Sequence, residues 1–206
     1  TSGMSFTWGK LLIASLILAR ALRKRTHSQA HIGILLPACC PNVLCNLAVA
    51  LLGKCTVNLN VTIGKQAFAS ALQQCDIRTI LTSKKFVERF PDLPVPEGSY
   101  VFLEDLMKGV TKRQKISAAL AALFLPYRWM VSSDRTAPDS LSTIIFSSGS
   151  TGEPKGVMLS QHNILSEVES LRMLLATSRE DHITAALPFF HSFGLMGCLW
   201  YPLLTN

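Results

Sequence analysis

Between Thr143 and Leu159 the chain reads TIIFSSGSTGEPKGVML. Ser147, Ser148, Ser150 and Thr151 stand beside Gly149 and Gly152, and Lys155 and Gly156 follow after Glu153 and Pro154. Backbone N–H groups left free in a glycine-rich turn form a concave anion site, hydroxyls add donors, and a lysine completes the charge balance. That chemistry suits a polyphosphate. The Walker loop does not fit, because Pro154 precedes the lysine where that motif has Gly, and Gly156 follows where it needs Ser or Thr. The following VMLSQHN starts as a strand rather than a helix, and the dinucleotide fingerprint G-x-G-x-x-G also fails. What the residues offer is a loop that wraps the β- and γ-phosphates of ATP. The bland alternative is a strand-to-strand turn, which needs one or two glycines and no lysine.

His191, in LPFFHSFGL, is the second residue with chemical promise. Taken alone it reads as a packed histidine at the end of an apolar strand, because no partner is visible beside it. His162 reads as a helix-start residue, and His27, His31 and His182 as structural.

The elements that must position these residues alternate. His31–Leu36, Cys55–Asn60, Arg78–Ser83, Tyr100–Leu103 and the run LSTIIFSS read as strands, as does HITAALP. Helical spacing predicts helices over Trp8–Leu22, Pro41–Leu52 (stopped by Gly53), Ile63–Gln74, Lys84–Phe90 and Thr111–Met130, the last broken at Pro126. Ser160–Thr177 reads as a helix with Ile164, Leu165, Val168, Leu171, Leu174 and Leu175 inward, and Gly194–Leu204 as an apolar helix. Strands alternating with helices predict an α/β fold with a largely parallel sheet.

Bulk composition narrows the class. The 206 residues are 49% hydrophobic and 16% charged, enough for a core and too lean in charge for disorder. Thr1 and the final YPLLTN look like points inside a longer fold, so the chain is expected to be a fragment. The net charge of +7 admits nucleic acid, an anionic membrane face or anionic substrates. No nucleic-acid motif accompanies the basic clusters RALRKR and KGVTKRQK, so nucleic acid is set aside. The six cysteines lack metal-knuckle spacing and sit among apolar residues, which predicts a reduced, cytoplasmic compartment. Trp8–Leu22 is too short for a span. It reads as a buried amphipathic helix or as one lying on anionic lipid.

IFSSGSTGEPKG (Ile145–Gly156) resembles the signature loop of the adenylate-forming, AMP-binding superfamily of acyl-CoA synthetases, peptide-synthetase adenylation domains and luciferases. LSQHNIL and LPFFHSFGL resemble that family's next two segments, in order and spacing. The upstream half, including IGILLP, ALLGKCTVNLN and YVFLEDL, most resembles the acyl-acyl carrier protein synthetase half of bifunctional 2-acylglycerophosphoethanolamine acyltransferases.

The resemblance implies an N-terminal, incomplete part of the large domain of an adenylate-forming enzyme. Residues 1–130 would be a first α/β portion, 131–140 a linker and 141–206 the phosphate-loop portion. The adenine- and ribose-binding segments and a small C-terminal domain would lie outside this chain, which alone would not turn over. It implies ATP and Mg2+ as cofactors, and a fatty acid activated to an acyl-adenylate and passed to the thiol of acyl carrier protein or of coenzyme A. Ser147, Ser148, Gly149, Ser150, Thr151, Gly152 and Lys155 would hold ATP, with Thr151 also contacting magnesium. His191, Lys155 and Thr151 would be catalytic, and His191 would sit where carboxylate meets α-phosphate. Phe189, Phe190 and Phe193 would line an acyl tunnel or belong to the core. The inner face of the membrane is the expected location. A long-chain fatty acid–CoA ligase is one alternative, and a truncated non-catalytic acyl- or membrane-binding fragment is another.

Overall fold

The computed structural model describes residues 6–131, 137–147, 153–178 and 180–205. Six strands form one sheet in the order β4-β3-β1-β2-β5-β6. They are β1 (His31–Leu35), β2 (Cys55–Asn58), β3 (Ile80–Thr82), β4 (Tyr100–Phe102), β5 (Leu141–Ser147) and β6 (Lys155–Ser160). All neighbours are parallel except β5 and β6, which run antiparallel as an edge hairpin. The α/β class read from the alternation is what the chain adopts. The sheet runs unbroken through both portions of the chain, because β5 pairs with β2.

Helices cover both faces. On one side α1 (Trp8–Arg23) and α2 (Cys40–Leu51) bury Leu18, Leu22, Ala48 and Val49 against Ile32 and Ile34. On the other, α3 (Lys65–Gln74) sets Phe68 and Leu72 against Leu35, Val57, Ile80 and Ile144. These helices end where local chemistry says they must. Thr7 caps α1, its hydroxyl accepting from the Lys10 N–H, and Arg20 and Arg23 in the last turn suit the helix dipole. After α2 the chain turns at Gly53 with φ +65°, a conformation glycine reaches without strain.

Between β1 and β2 a polar knot replaces apolar packing. The buried Asn46 and Asn58 amides exchange hydrogen bonds, and Asn42 donates to the Leu36 and Pro37 carbonyls at 3.0 and 3.1 Å. The Thr143 hydroxyl donates to the Thr56 carbonyl at 2.9 Å, fastening β5 to the sheet.

Short α4 (Lys84–Val87) and α5 (Leu103–Lys108) follow β3 and β4. Next come α6 (Lys112–Phe124) and α7 (Tyr127–Met130), parted at Pro126 as expected. Beyond the hairpin run α8 (Gln161–Leu175) and α9 (Ser192–Leu195), a π-helical turn Met196–Trp200 and α10 (Tyr201–Thr205). They enclose Ile164, Val168, Phe189, Leu195 and Tyr201 against Val43 and Leu47 of α2.

Two expectations change here. Residues 182–188 are irregular and exposed apart from half-buried Pro188, not a strand. A strand needs a ladder partner, and among the described residues none lies beside them. On α8, Ile164 and Val168 are buried, but Leu165, Leu174 and Leu175 are exposed, Leu174 at 78%. The apolar stripe is real, but only half of it is covered.

Candidate functional site

Lys155 opens β6 and Ser147 closes β5; they face each other in the ladder, with the Ser147 hydroxyl donating to the Lys155 carbonyl at 3.4 Å. Ser148, Gly149, Ser150, Thr151 and Gly152 lie outside the described residues. The segment after the loop is an antiparallel strand, so no helix begins there, and the arrangement differs from a Walker loop, which leads into a helix. β5 runs parallel to β2, so its last residue, Ser147, and the opposing Lys155 of β6 lie at the carboxyl-end rim of the parallel strands.

Two residues support the ends of that hairpin in roles the sequence reading did not assign them. Gln74, the last residue of α3, donates through Nε2 to the Pro154 carbonyl at 3.0 Å. Gly156 lies opposite Phe146, and a Cβ there would come within 3.0 Å of Ile144 and 3.3 Å of the Phe146 ring. The glycine after the lysine therefore admits an aromatic cross-strand cover. Its signal in the sequence was that it broke the Walker pattern.

His191 precedes α9 as its N-cap, exposed and in extended conformation, its ring 4.7 Å from that of Phe190. Its N–H donates to the Pro188 carbonyl and its carbonyl accepts from Leu195. Gly194 makes this turn possible, because a Cβ would lie 2.2 Å from the Pro188 oxygen. The three phenylalanines separate: Phe189 is core at 2% exposure, Phe190 is half-buried, and Phe193 is 67% exposed.

Phe193 lines a groove of about 680 Å3 with Met158 and Leu159 of β6, Asn163 and Leu171 of α8, and Met196. Lys155 lies three positions before Met158 on β6, and His191 directly precedes Ser192, another lining residue. Neither Lys155 nor His191 lines the groove itself. The SQHN segment positions α8: the Ser160 hydroxyl accepts from the Asn163 N–H, and the Asn163 side chain accepts from the Ser160 N–H. His162 keeps its structural reading, with Nε2 3.5 Å from the Ser166 hydroxyl, and His31 bonds through Nδ1 to the Cys75 carbonyl at 2.8 Å.

Among the described residues no three His, Cys, Asp or Glu side chains are grouped to hold a metal. Among the described residues of the hairpin, the Ser147 hydroxyl and the Lys155 ammonium are donors of the kind that suit a phosphate oxygen. Burial pushes the Cys75 thiol up to about 11 and raises Cys45 further. They act as small core hydrophobes.

The profile of the AMP-binding enzyme family matches residues 1–205. The chain belongs to that family. It is 26% identical to the medium-chain fatty acid–[acyl-carrier-protein] ligase TtuA of Teredinibacter turnerae, over 92% of this chain and 34% of that protein. Identity is also 26% to the medium-chain fatty acid–CoA ligase of Escherichia coli, over 99% of this chain and 37% of that protein. The chain thus spans about a third of the length of these curated relatives. Among solved structures, the O-succinylbenzoate coenzyme A synthetase of Bacillus subtilis with ATP and magnesium ion superposes with a TM-score of 0.75 at 22% identity, covering 98% of this chain and 49% of that one. A fatty acid AMP ligase from Legionella pneumophila gives 0.76 at 18%, covering 97% and 33%. These likenesses show that the fold is that of an adenylate-forming enzyme domain, present here in part.

Proposed function

We propose that this chain is the phosphate-binding part of an ATP-dependent, AMP-forming fatty acid ligase. The carboxylate of the fatty acid attacks the α-phosphorus of Mg-ATP, pyrophosphate leaves, and a thiol then displaces AMP from the acyl-adenylate. Ser147, Ser148, Gly149, Ser150, Thr151, Gly152 and Lys155 cradle the β- and γ-phosphates, with Thr151 at the magnesium ion that arrives with ATP. Their work is to position the nucleotide and neutralise charge developing on the leaving pyrophosphate. His191 orients the carboxylate against the α-phosphate, and the groove beside Phe193 takes the acyl chain.

The observation that carries this reading is the match of the AMP-binding enzyme family across residues 1–205, supported by the β5–β6 hairpin that brings Ser147 and Lys155 opposite each other. Acyl carrier protein is the proposed thiol donor, in a pathway that reacylates phospholipids; the relatives include ligases of both carrier types. Residues 1–206 supply only part of the AMP-binding domain, divided as the sequence suggests, and alone give no turnover. ATP–pyrophosphate exchange by the chain extended to the full length of its relatives tests the reading. Exchange must depend on added long-chain fatty acid, and fatty-acid-independent exchange or none at all overturns it.

A cytoplasmic protein resting on the inner membrane face is the proposed setting. No described helix is long and apolar enough to cross a membrane. Instead α6 turns Ile116, Leu120, Leu123 and Phe124 outward on one stripe, Phe124 at 77% exposure, with Trp129 beyond them. Neither α1 nor α6 contains an Asp or Glu, and Lys112, Arg113 and Lys115 begin the stripe. Apolar exposure bordered by uncompensated cations suits anionic lipid. Co-sedimentation with phosphatidylglycerol vesicles, lost in Leu123→Glu/Phe124→Glu, is the expected result.

A further inference from the structure

The strand order reverses between β1 and β3. From β1 the chain passes through α2 to β2 on one side, then crosses back through α3 to β3 on the other. In an open parallel sheet, the loops leaving two such strands part toward opposite faces, and ligands lie in the crevice beyond the strands' carboxyl ends. Here that crevice is a basin of about 470 Å3, a volume within the range of small-molecule sites. Leu36, Pro37 and Cys39 reach it from β1, Phe86 from β3, and Leu103 and Met107 from β4. It shares no lining residue with the groove beside Phe193, and β2 separates β1 from the hairpin.

The charges at its rim are unevenly spent. Lys84 is neutralised, with Nζ 2.8 Å from the Asp105 carboxylate and 5.7 Å above the Phe102 ring. Glu104 also lines the basin, but its Oε1 accepts from the Lys84 N–H at 3.1 Å, capping α4. Lys85 and Arg89 also line the basin, four positions apart, and make no ion pair among the described residues. Two cations at that spacing repel each other unless an anion lies between them. Burial raises the Cys39 thiol, so it contributes a neutral wall.

We propose that this basin is a second ligand site, distinct from the phosphate-loop groove, for a fatty acid carboxylate: the alkyl chain lies on Leu36, Pro37, Phe86 and Met107, and the head lies between Lys85 and Arg89. A small inorganic anion would leave the apolar floor wet, and a neutral lipid would leave both cations unpaired. An acid held here is bound without being activated.

Isothermal titration of the 206-residue chain with decanoate and with decanol, each below its critical micelle concentration, tests this. Decanoate should bind saturably, and at least tenfold more tightly than decanol. Lys85→Ala/Arg89→Ala should weaken decanoate at least tenfold and leave decanol unchanged, whereas Lys65→Ala/Arg172→Ala, which removes two cations elsewhere, should change neither. Met107→Trp, which fills the basin, should abolish the same binding event; should that variant fail to fold, the Lys85/Arg89 comparison still decides. Absent decanoate binding, binding indifferent to Lys85 and Arg89, or binding lost only with Phe193→Asp would overturn the proposal. Exchange activity is a separate readout. Its loss with basin binding intact sinks the ligase reading alone, and the converse sinks this inference alone.

Discussion

In β1, β2 and β3 every residue but half-buried His31 is buried, and helices cover both faces of the sheet. In β6 the first four residues are exposed, and α8 beside it turns Met173, Leu174 and Leu175 to solvent. The centre and one edge of the same sheet both carry apolar residues but differ in whether a second layer lies on them. Periodicity specifies which face of an element is apolar; burial also needs something to cover that face. At the β6 edge the uncovered surface includes Met158 and Phe193, which line the groove proposed for the acyl chain.

The largest test of that contrast is a pair of truncations. Phe68→Ala, in the covered half, should cost about 3–5 kcal/mol of unfolding free energy. Leu174→Ala should stay within about 0.5 kcal/mol. Urea denaturation of both measures the difference, and a cost above about 2 kcal/mol at Leu174 would break the comparison.

Next in size is Gly194→Ala. The Pro188 carbonyl lies where the new Cβ must go. The backbone must shift, at about 1–3 kcal/mol, and His191 moves with it. Fatty-acid-dependent exchange should fall along with stability, while Gly64→Ala, where a Cβ meets nothing within 4 Å, should leave exchange unchanged.

Gln74→Ala removes the donor to Pro154 and sharpens the comparison, because it unties the open edge from the covered part of the molecule. The cost to stability should be about 1 kcal/mol. The distinguishing readout is a higher KM for ATP with an unchanged unfolding slope.

The smallest effect is acid sensitivity. The Arg78 guanidinium, the Lys84 ammonium and the Ser178 N–H hold Asp76, Asp105 and Asp181 below the usual carboxylate range. Groups with depressed folded values stabilise above their unfolded value near 4 and lose that contribution as pH falls through the folded one. Thermal midpoints should therefore drop below about pH 4, and Asp105→Asn should flatten that drop slightly, since all three carboxylates are exposed.

What was legible in the sequence follows the same division. Strands β1 to β5 and helices α1 to α3 lie within a few residues of their expected spans, because apolar period and Gly53 act locally, as does Pro126 in parting α6 from α7. The strand expected over 182–188 was misread because a ladder partner is not a local property. The inward face assigned to Leu165, Leu174 and Leu175 was misread because a stripe does not reveal what lies opposite it. Of the site, the strand rather than helix after the loop was readable from VMLS. The supports at Gln74 and Gly194 were not, since each acts through a neighbour distant in sequence or through space a side chain would fill, and Gly156 showed only as a break in the Walker pattern.

The central claim is that the hairpin between Ser147 and Lys155 holds the pyrophosphate end of ATP. Its most direct test is ATP–pyrophosphate exchange by the full-length protein with a saturating fatty acid, comparing the native chain with Lys155→Ala. The account predicts at least a tenfold loss in kcat/KM for ATP, equivalent to about 1.4 kcal/mol, with the fold intact by circular dichroism. Exchange by Lys155→Ala at the native rate would contradict it.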